Sequence, residues 1–150
     1  MLVYRIARQK YSNDLYASGY GARWNKAEQF VIYTASSRSL AALEVLVNTS
    51  KAMLLQQYHV MEIELEITNK HIETIKLSTL PKDWQQLGNY QMLKNLGSEW
   101  YLKNKKLALK VPSAIVPQEF NFVINSKHKD FNDKVSLRHS TPFIWDNRLV

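Results

Sequence analysis

A few side chains in the sequence stand at positions where they could do chemistry. Arg23 sits in the stretch Asp14-Leu-Tyr-Ala-Ser-Gly-Tyr-Gly-Ala-Arg-Trp-Asn25, close behind two glycines. A guanidinium's planar fork suits phosphate or carboxylate, and a glycine-flanked loop can approach such a ligand closely. Glu44 interrupts the apolar stretch Leu40–Val47, and a fixed carboxylate can stabilise a cation that develops at a reacting carbon. Tyr33, in Phe30-Val-Ile-Tyr-Thr34, offers a flat surface for a planar ring; Ser113, in Val111-Pro-Ser-Ala-Ile-Val-Pro117, offers a hydroxyl; Arg5 is a second guanidinium. Each has a plainer reading. Glu44 can face solvent, Arg23 can pair with Asp14, Tyr33 can belong to the core, and Ser113 beside Pro112 can form a turn.

The elements that must position these residues follow from periodicity. Leu2–Ala7 reads as a first strand, and residues 8–29 as a long loop of a length that is often functional. Phe30–Thr34 is β-branched and aromatic, a buried strand. Ser36-Ser-Arg-Ser39 supplies N-cap candidates for a helix from about 39 to 50, where Leu40, Leu43 and Val47 recur at helical spacing. Tyr58–Ile67 alternates Val60, Ile63, Leu65 and Ile67 with glutamates, a strand with one wet face. Further strands are predicted over 71–77, 107–111 and 120–124, a helix over 90–103, and a short strand with an irregular end in 134–150. This order is mixed, which argues for a single α+β domain over residues 1–150 and against a doubly wound parallel sheet.

Composition removes several classes. The chain has 150 residues, the size of one compact domain, and its 4 Gly and 4 Pro leave no flexible linker. No apolar run approaches the roughly 20 residues of a membrane span, and the first residues lack a signal-peptide pattern, so a cytoplasmic protein without a membrane partner is expected. There are no cysteines, which excludes disulfides and thiolate chemistry. His59, His71, His128 and His139 show no metal-ligand spacing, so no metal site is expected and hydrogen-bonded structural roles are favoured for His59 and His71. Neither a G-x-G-x-x-G nor a Walker A sequence is present. The net charge of +7 favours anionic partners, although the densest basic clusters, Lys103–Lys106 and Lys127–Lys129, are short and read as solvated surface.

Taken together, these segments closely resemble the RES family, named for an arginine, a glutamate and a serine. Arg23 in Gly21-Ala-Arg-Trp-Asn25, Glu44 in Ser39-Leu-Ala-Ala-Leu-Glu-Val-Leu-Val47 and Ser113 match those three, and Tyr33 matches a family tyrosine. Val3-Tyr-Arg-Ile-Ala7, the segment Gln118–His128 around Asn121 and Asn125, and Phe143-Ile-Trp-Asp-Asn-Arg-Leu149 fit as well. Two positions depart from the pattern: Glu28 stands where a glycine is usual, and Asn48 where a histidine is common. The resemblance implies a fold similar to ADP-ribosyltransferases. It also implies cleavage of the nicotinamide–ribose bond of NAD, a substrate rather than a cofactor, by a bacterial toxin neutralised by an Xre-like antitoxin. Nucleic acid would then be reached only indirectly, through that antitoxin. On this reading Glu44, Arg23 and Tyr33 are catalytic, and Arg5, Arg23, Tyr33, Ser113 and Asn125 contact substrate; the ADP-ribose acceptor, whether water, phosphate or protein, stays open. The alternative from another class is a basic nucleic-acid- or protein-binding module. A ribonuclease toxin is disfavoured because no plausible histidine pair is visible.

Overall fold

The computed structural model describes residues 1–150. Its centre is one seven-stranded mixed sheet. The strands are β1 (Leu2–Arg8), β2 (Val31–Ala35), β3 (Tyr58–Leu65), β4 (Ile72–Thr74), β5 (Ala108–Pro112), β6 (Phe120–Asn125) and β7 (Val135–Phe143), in the spatial order β4-β5-β6-β2-β1-β3-β7. Every neighbouring pair is antiparallel except β4–β5. Four helices complete the α+β fold: α1 (Arg38–Asn48), α2 (Lys51–Leu54), α3 (Tyr90–Lys103) and α4 (Phe131–Lys134). No helix is long and apolar enough to cross a membrane.

The two long helices lie on the same face of the sheet. Successive residues of β2 point to opposite faces. Ala35 packs with Leu40 and Ala41 of α1, while Val31 and Tyr33, on the same side of the strand, pack with Leu93 and Trp100 of α3. Ile32, on the other side, joins Val3, Met61, Ile63, Leu65 and Ile124 in a second apolar layer. α1 begins where the serine cluster suggested: the Ser37 side chain accepts the Leu40 N–H at 3.1 Å. His59 bonds Ser140 across β3–β7, and His71 accepts the Thr68 N–H, so both histidines are structural.

Two segments differ from the sequence-based expectation. The strand predicted over 71–77 is only three residues long. The tail, expected to hold a short strand, instead forms the nine-residue edge strand β7 against β3. Its alternation is broken because the register shifts between Glu62, opposite His139, and Ile63, opposite Leu137. The extra residue, Arg138, is a bulge that hides the period-2 pattern.

The centre of the sheet has a gap. β1 and β2 share one register position, Tyr4 opposite Ala35, whereas β1 pairs with β3 along its whole length. The loop 8–29 comes down beside this gap and docks on α3. Trp24 is buried among Trp84, Leu93 and Trp100, and Gly97 of α3 meets the Trp24 backbone so closely that a Cβ there would stand 1.7 Å from the Trp24 carbonyl oxygen. No rotamer relieves a backbone clash of that kind. Gly97→Ala is therefore expected to destabilise the fold by about 1–3 kcal/mol or more, read by urea denaturation; an unchanged midpoint would show that the loop does not depend on this contact.

Candidate active site

The loop that carries Arg23 has almost no regular structure, so side chains hold it. Asn25 is buried and organises the turn: its Nδ2 donates to the carbonyls of Tyr20 (2.9 Å), Lys26 (2.9 Å) and Gln29 (3.3 Å). Its Oδ1 accepts the Tyr33 hydroxyl at 2.7 Å, and the same hydroxyl accepts the Trp24 N–H at 3.0 Å. Gln29 reaches Ser98 of α3 at 2.7 Å, and the Phe30 N–H donates to the Tyr101 hydroxyl. The Tyr33 phenol is thus a clasp between β2 and the loop. Burial holds it well above its ordinary pKa, with the Trp24 N–H and the Arg23 charge pulling weakly the other way, so it stays protonated.

Between α1, α3, β1 and β2 lies a cavity of about 600 Å³. Tyr33 lines it, as do Tyr4 and Tyr90. The charged residues on its wall are Arg5, Arg23, Lys94 and Glu44, three cations against one carboxylate. Arg23 does not pair with Asp14. Its guanidinium donates to the Gln85 carbonyl at 3.3 Å and the Tyr90 hydroxyl at 3.1 Å, and lies 4.6 Å from the Tyr90 ring centroid. Arg5 has one weak contact, to the Tyr16 carbonyl at 3.4 Å, and burial lowers its pKa; as a guanidinium it remains charged.

Glu44 does not simply face solvent. Its Oε1 accepts from Asn121 Nδ2 at 2.7 Å and from Ser113 Oγ at 3.1 Å, while Oε2 has no protein partner. Ser113 is fully buried and stands behind Glu44 rather than on the cavity wall; its Oγ also accepts the N–H groups of Ile115 and Val116. The plainer reading of Ser113 holds, since it shapes the turn after β5; the expected substrate contact does not, because its hydroxyl is spent on Glu44 and does not reach the cavity.

Asn125 is also placed away from the cavity. It is buried at the far end of β6, where its Nδ2 donates to Asn104 Oδ1, at the left-handed C-cap of α3, and its Oδ1 accepts the Lys127 N–H. The asparagine on the cavity is Asn121, four residues earlier. Both point to the same face of the strand, about 13 Å apart. The register with β2 separates them: Asn121 lies opposite Ala35 beside α1, and Asn125 opposite Val31. Besides Asn121, sequence reasoning missed Tyr90 and Lys94, which line the cavity from one face of α3 at a spacing of four. That spacing was visible, but nothing local showed which face of α3 turns toward Arg23. Asn48 lies on the rim and bonds back to the Glu44 carbonyl at 2.8 Å. No cluster of histidine, aspartate or glutamate able to hold a metal ion is present.

Fold and site together describe a sheet-borne cleft in which one buttressed carboxylate shares the wall with three cations, an enzyme-type site. The chain belongs to the RES family: the RES domain profile matches residues 2–146. It is 36% identical over 154 residues to a protein named Toxin Res from Photorhabdus laumondii, covering all of this chain and 97% of that one. It is 34% identical to a Toxin Res from Yersinia enterocolitica, covering 99% of each. A Prs ADP-ribosylating toxin from a Sphingobium species is 32% identical, with 96% and 91% covered. The fold is that of a chain in the M. tuberculosis MbcT–MbcA toxin–antitoxin complex, with a TM-score of 0.75 at 18% identity over 95% of this chain and 83% of that one.

One departure from the family pattern has a structural explanation. Glu28 adopts φ +66°, its N–H bonded to the Gly19 carbonyl at 2.7 Å, while its exposed side chain makes no bond. That left-handed conformation is unfavourable for any residue with a Cβ, which accounts for the usual glycine. Glu28→Gly is expected to stabilise the protein by about 1 kcal/mol, raising Tm by about 2–4 °C in a thermal scan. A lowered Tm would mean that the loop draws support from the glutamate side chain.

Proposed function

We propose that this protein is the toxin of a toxin–antitoxin pair and that its cavity binds NAD and breaks the nicotinamide–ribose bond. The observation that carries this reading is the state of Glu44: one oxygen is fixed by Ser113 and Asn121, and the other is free in a cavity otherwise lined by cations and aromatic rings. When the glycosidic bond breaks, its electron pair leaves with nicotinamide and positive charge develops on the ribose. A preorganised carboxylate stabilises that charge without having to reorganise. The Tyr33 ring offers a surface for the nicotinamide, and Arg23 a planar donor set for the diphosphate. An acceptor oxygen then bonds to the anomeric carbon and loses its proton; whether it belongs to water, phosphate or a protein side chain defines the reaction type. The cavity volume lies within the range of sites that enclose small molecules.

The names of the relatives support the same reading, since several are toxins and one is an ADP-ribosylating toxin. An antitoxin partner follows from the toxin role, and a surface of net charge +7 favours a partner with an acidic face, bound faster at low salt. The Xre type of that antitoxin is carried by the family resemblance. A basic binding module without catalysis leaves the buttressed glutamate without a purpose.

The test is to incubate the purified protein with NAD, with and without inorganic phosphate, and resolve the products. Release of nicotinamide is expected, with loss of about 10²–10³ in rate for Glu44→Gln while the thermal transition stays intact. NAD left untouched by the wild-type protein, or full turnover by folded Glu44→Gln protein, would overturn the assignment.

A further inference from the structure

α3 contributes a cation to the cavity that none of the family's namesake positions includes. Lys94 lines the cavity one helical turn after Tyr90, the residue on which Arg23 rests. Its ammonium makes no hydrogen bond and no ion pair in the fold, and Arg23 likewise has no carboxylate partner. The one acid in the cavity, Glu44, is tied to Ser113 and Asn121 on β5's turn and β6. Two half-buried like charges therefore share one wall with no carboxylate bonded to either, and an anion bound between them would relieve their repulsion. A Cβ on Gly21 would stand 3.6 Å from Lys94 Nζ and 3.3 Å from the Ala27 nitrogen, so the backbone passes directly beside the ammonium.

We infer that Lys94 and Arg23 together form the seat for a diphosphate, and that Lys94 makes a phosphorylated substrate obligatory. The division of labour follows from donor geometry. Two of the Arg23 nitrogens already hold Gln85 and Tyr90, which fixes the guanidinium plane and leaves its remaining N–H groups for one phosphate. Lys94 is a mobile point charge with three donors, suited to follow the second phosphate of a linked pair. The inference rests on the dinucleotide reading for its substrate but not for its test.

Calorimetric titrations of the wild-type protein, Lys94→Met and Lys94→Arg with ADP, inorganic pyrophosphate, inorganic phosphate and nicotinamide riboside decide it. Lys94→Met should weaken ADP and pyrophosphate roughly tenfold to a hundredfold, the usual worth of a charged hydrogen bond. Lys94→Arg should restore most of that affinity, and nicotinamide riboside, which has no diphosphate, should bind all three proteins alike. Equal ADP affinity for wild type and Lys94→Met overturns the seat, as does a wild-type protein that binds neither ADP nor pyrophosphate. An effect confined to free phosphate also overturns it. NAD turnover measured alongside separates the two ideas. Cleavage by Lys94→Met at an unchanged KM keeps the proposed function and removes the seat; ADP binding through Lys94 without any NAD cleavage does the reverse.

Discussion

The contact between the Trp24 backbone and Gly97 governs the geometry of the cavity. A 22-residue loop has no ladder of its own hydrogen bonds, so its conformation is set by where it is pinned. The pins are the Trp24 side chain among α3 and its neighbours, the Trp24 carbonyl against Gly97, and Gln29 on Ser98. With the loop seated there, the Trp24 N–H and Asn25 Oδ1 both fall on the Tyr33 hydroxyl, and β2 is locked to the loop. Arg23, the residue next to this clasp, lies over the Tyr90 ring. The geometry of the cavity and the stability of the fold are coupled through the same few atoms.

Glu44 is positioned on the opposite principle. It rides on a regular helix capped by Ser37 and is fixed from the sheet side by β6 and the turn after β5. One wall of the cavity is therefore rigid secondary structure and the other an irregular loop held by side chains, with the gap between β1 and β2 beneath them. Loss of a single carboxylate contact would affect the first wall locally, whereas loss of the Gly97 approach would displace the second as a unit.

The parts legible in the sequence are those with strong local signals. The order of β1, β2, α1, β3, α3, β5 and β6, and the α+β class, follow from apolar periodicity and a serine cap. The family resemblance groups Arg23, Tyr33, Glu44 and Ser113 on sequence alone. What stayed hidden depended on tertiary register. Asn121 and Asn125 are indistinguishable by alternation, and only pairing with β2 places Asn121 beside Glu44. α3 carries two lysines, Lys94 half-buried and Lys103 exposed, and only the loop docked on the helix shows which of them faces the cavity. The bulge at Arg138 disrupts the period of β7, so only a short strand is legible there. Ser113 matches the family serine, but that match points to substrate contact, and only the hydrogen bond to Glu44 shows it as a buttress.

The central claim is that a dinucleotide spans the cavity from Glu44 to Arg23. It is tested most directly by a crystal structure of the Glu44→Gln protein soaked with NAD. The account predicts the anomeric carbon of the nicotinamide ribose beside residue 44, the nicotinamide ring against Tyr33 and the diphosphate on Arg23, with Ser113 still buried behind residue 44. NAD bound outside the cavity, or within it with the diphosphate against residue 44 and the nicotinamide near Arg23, would contradict it.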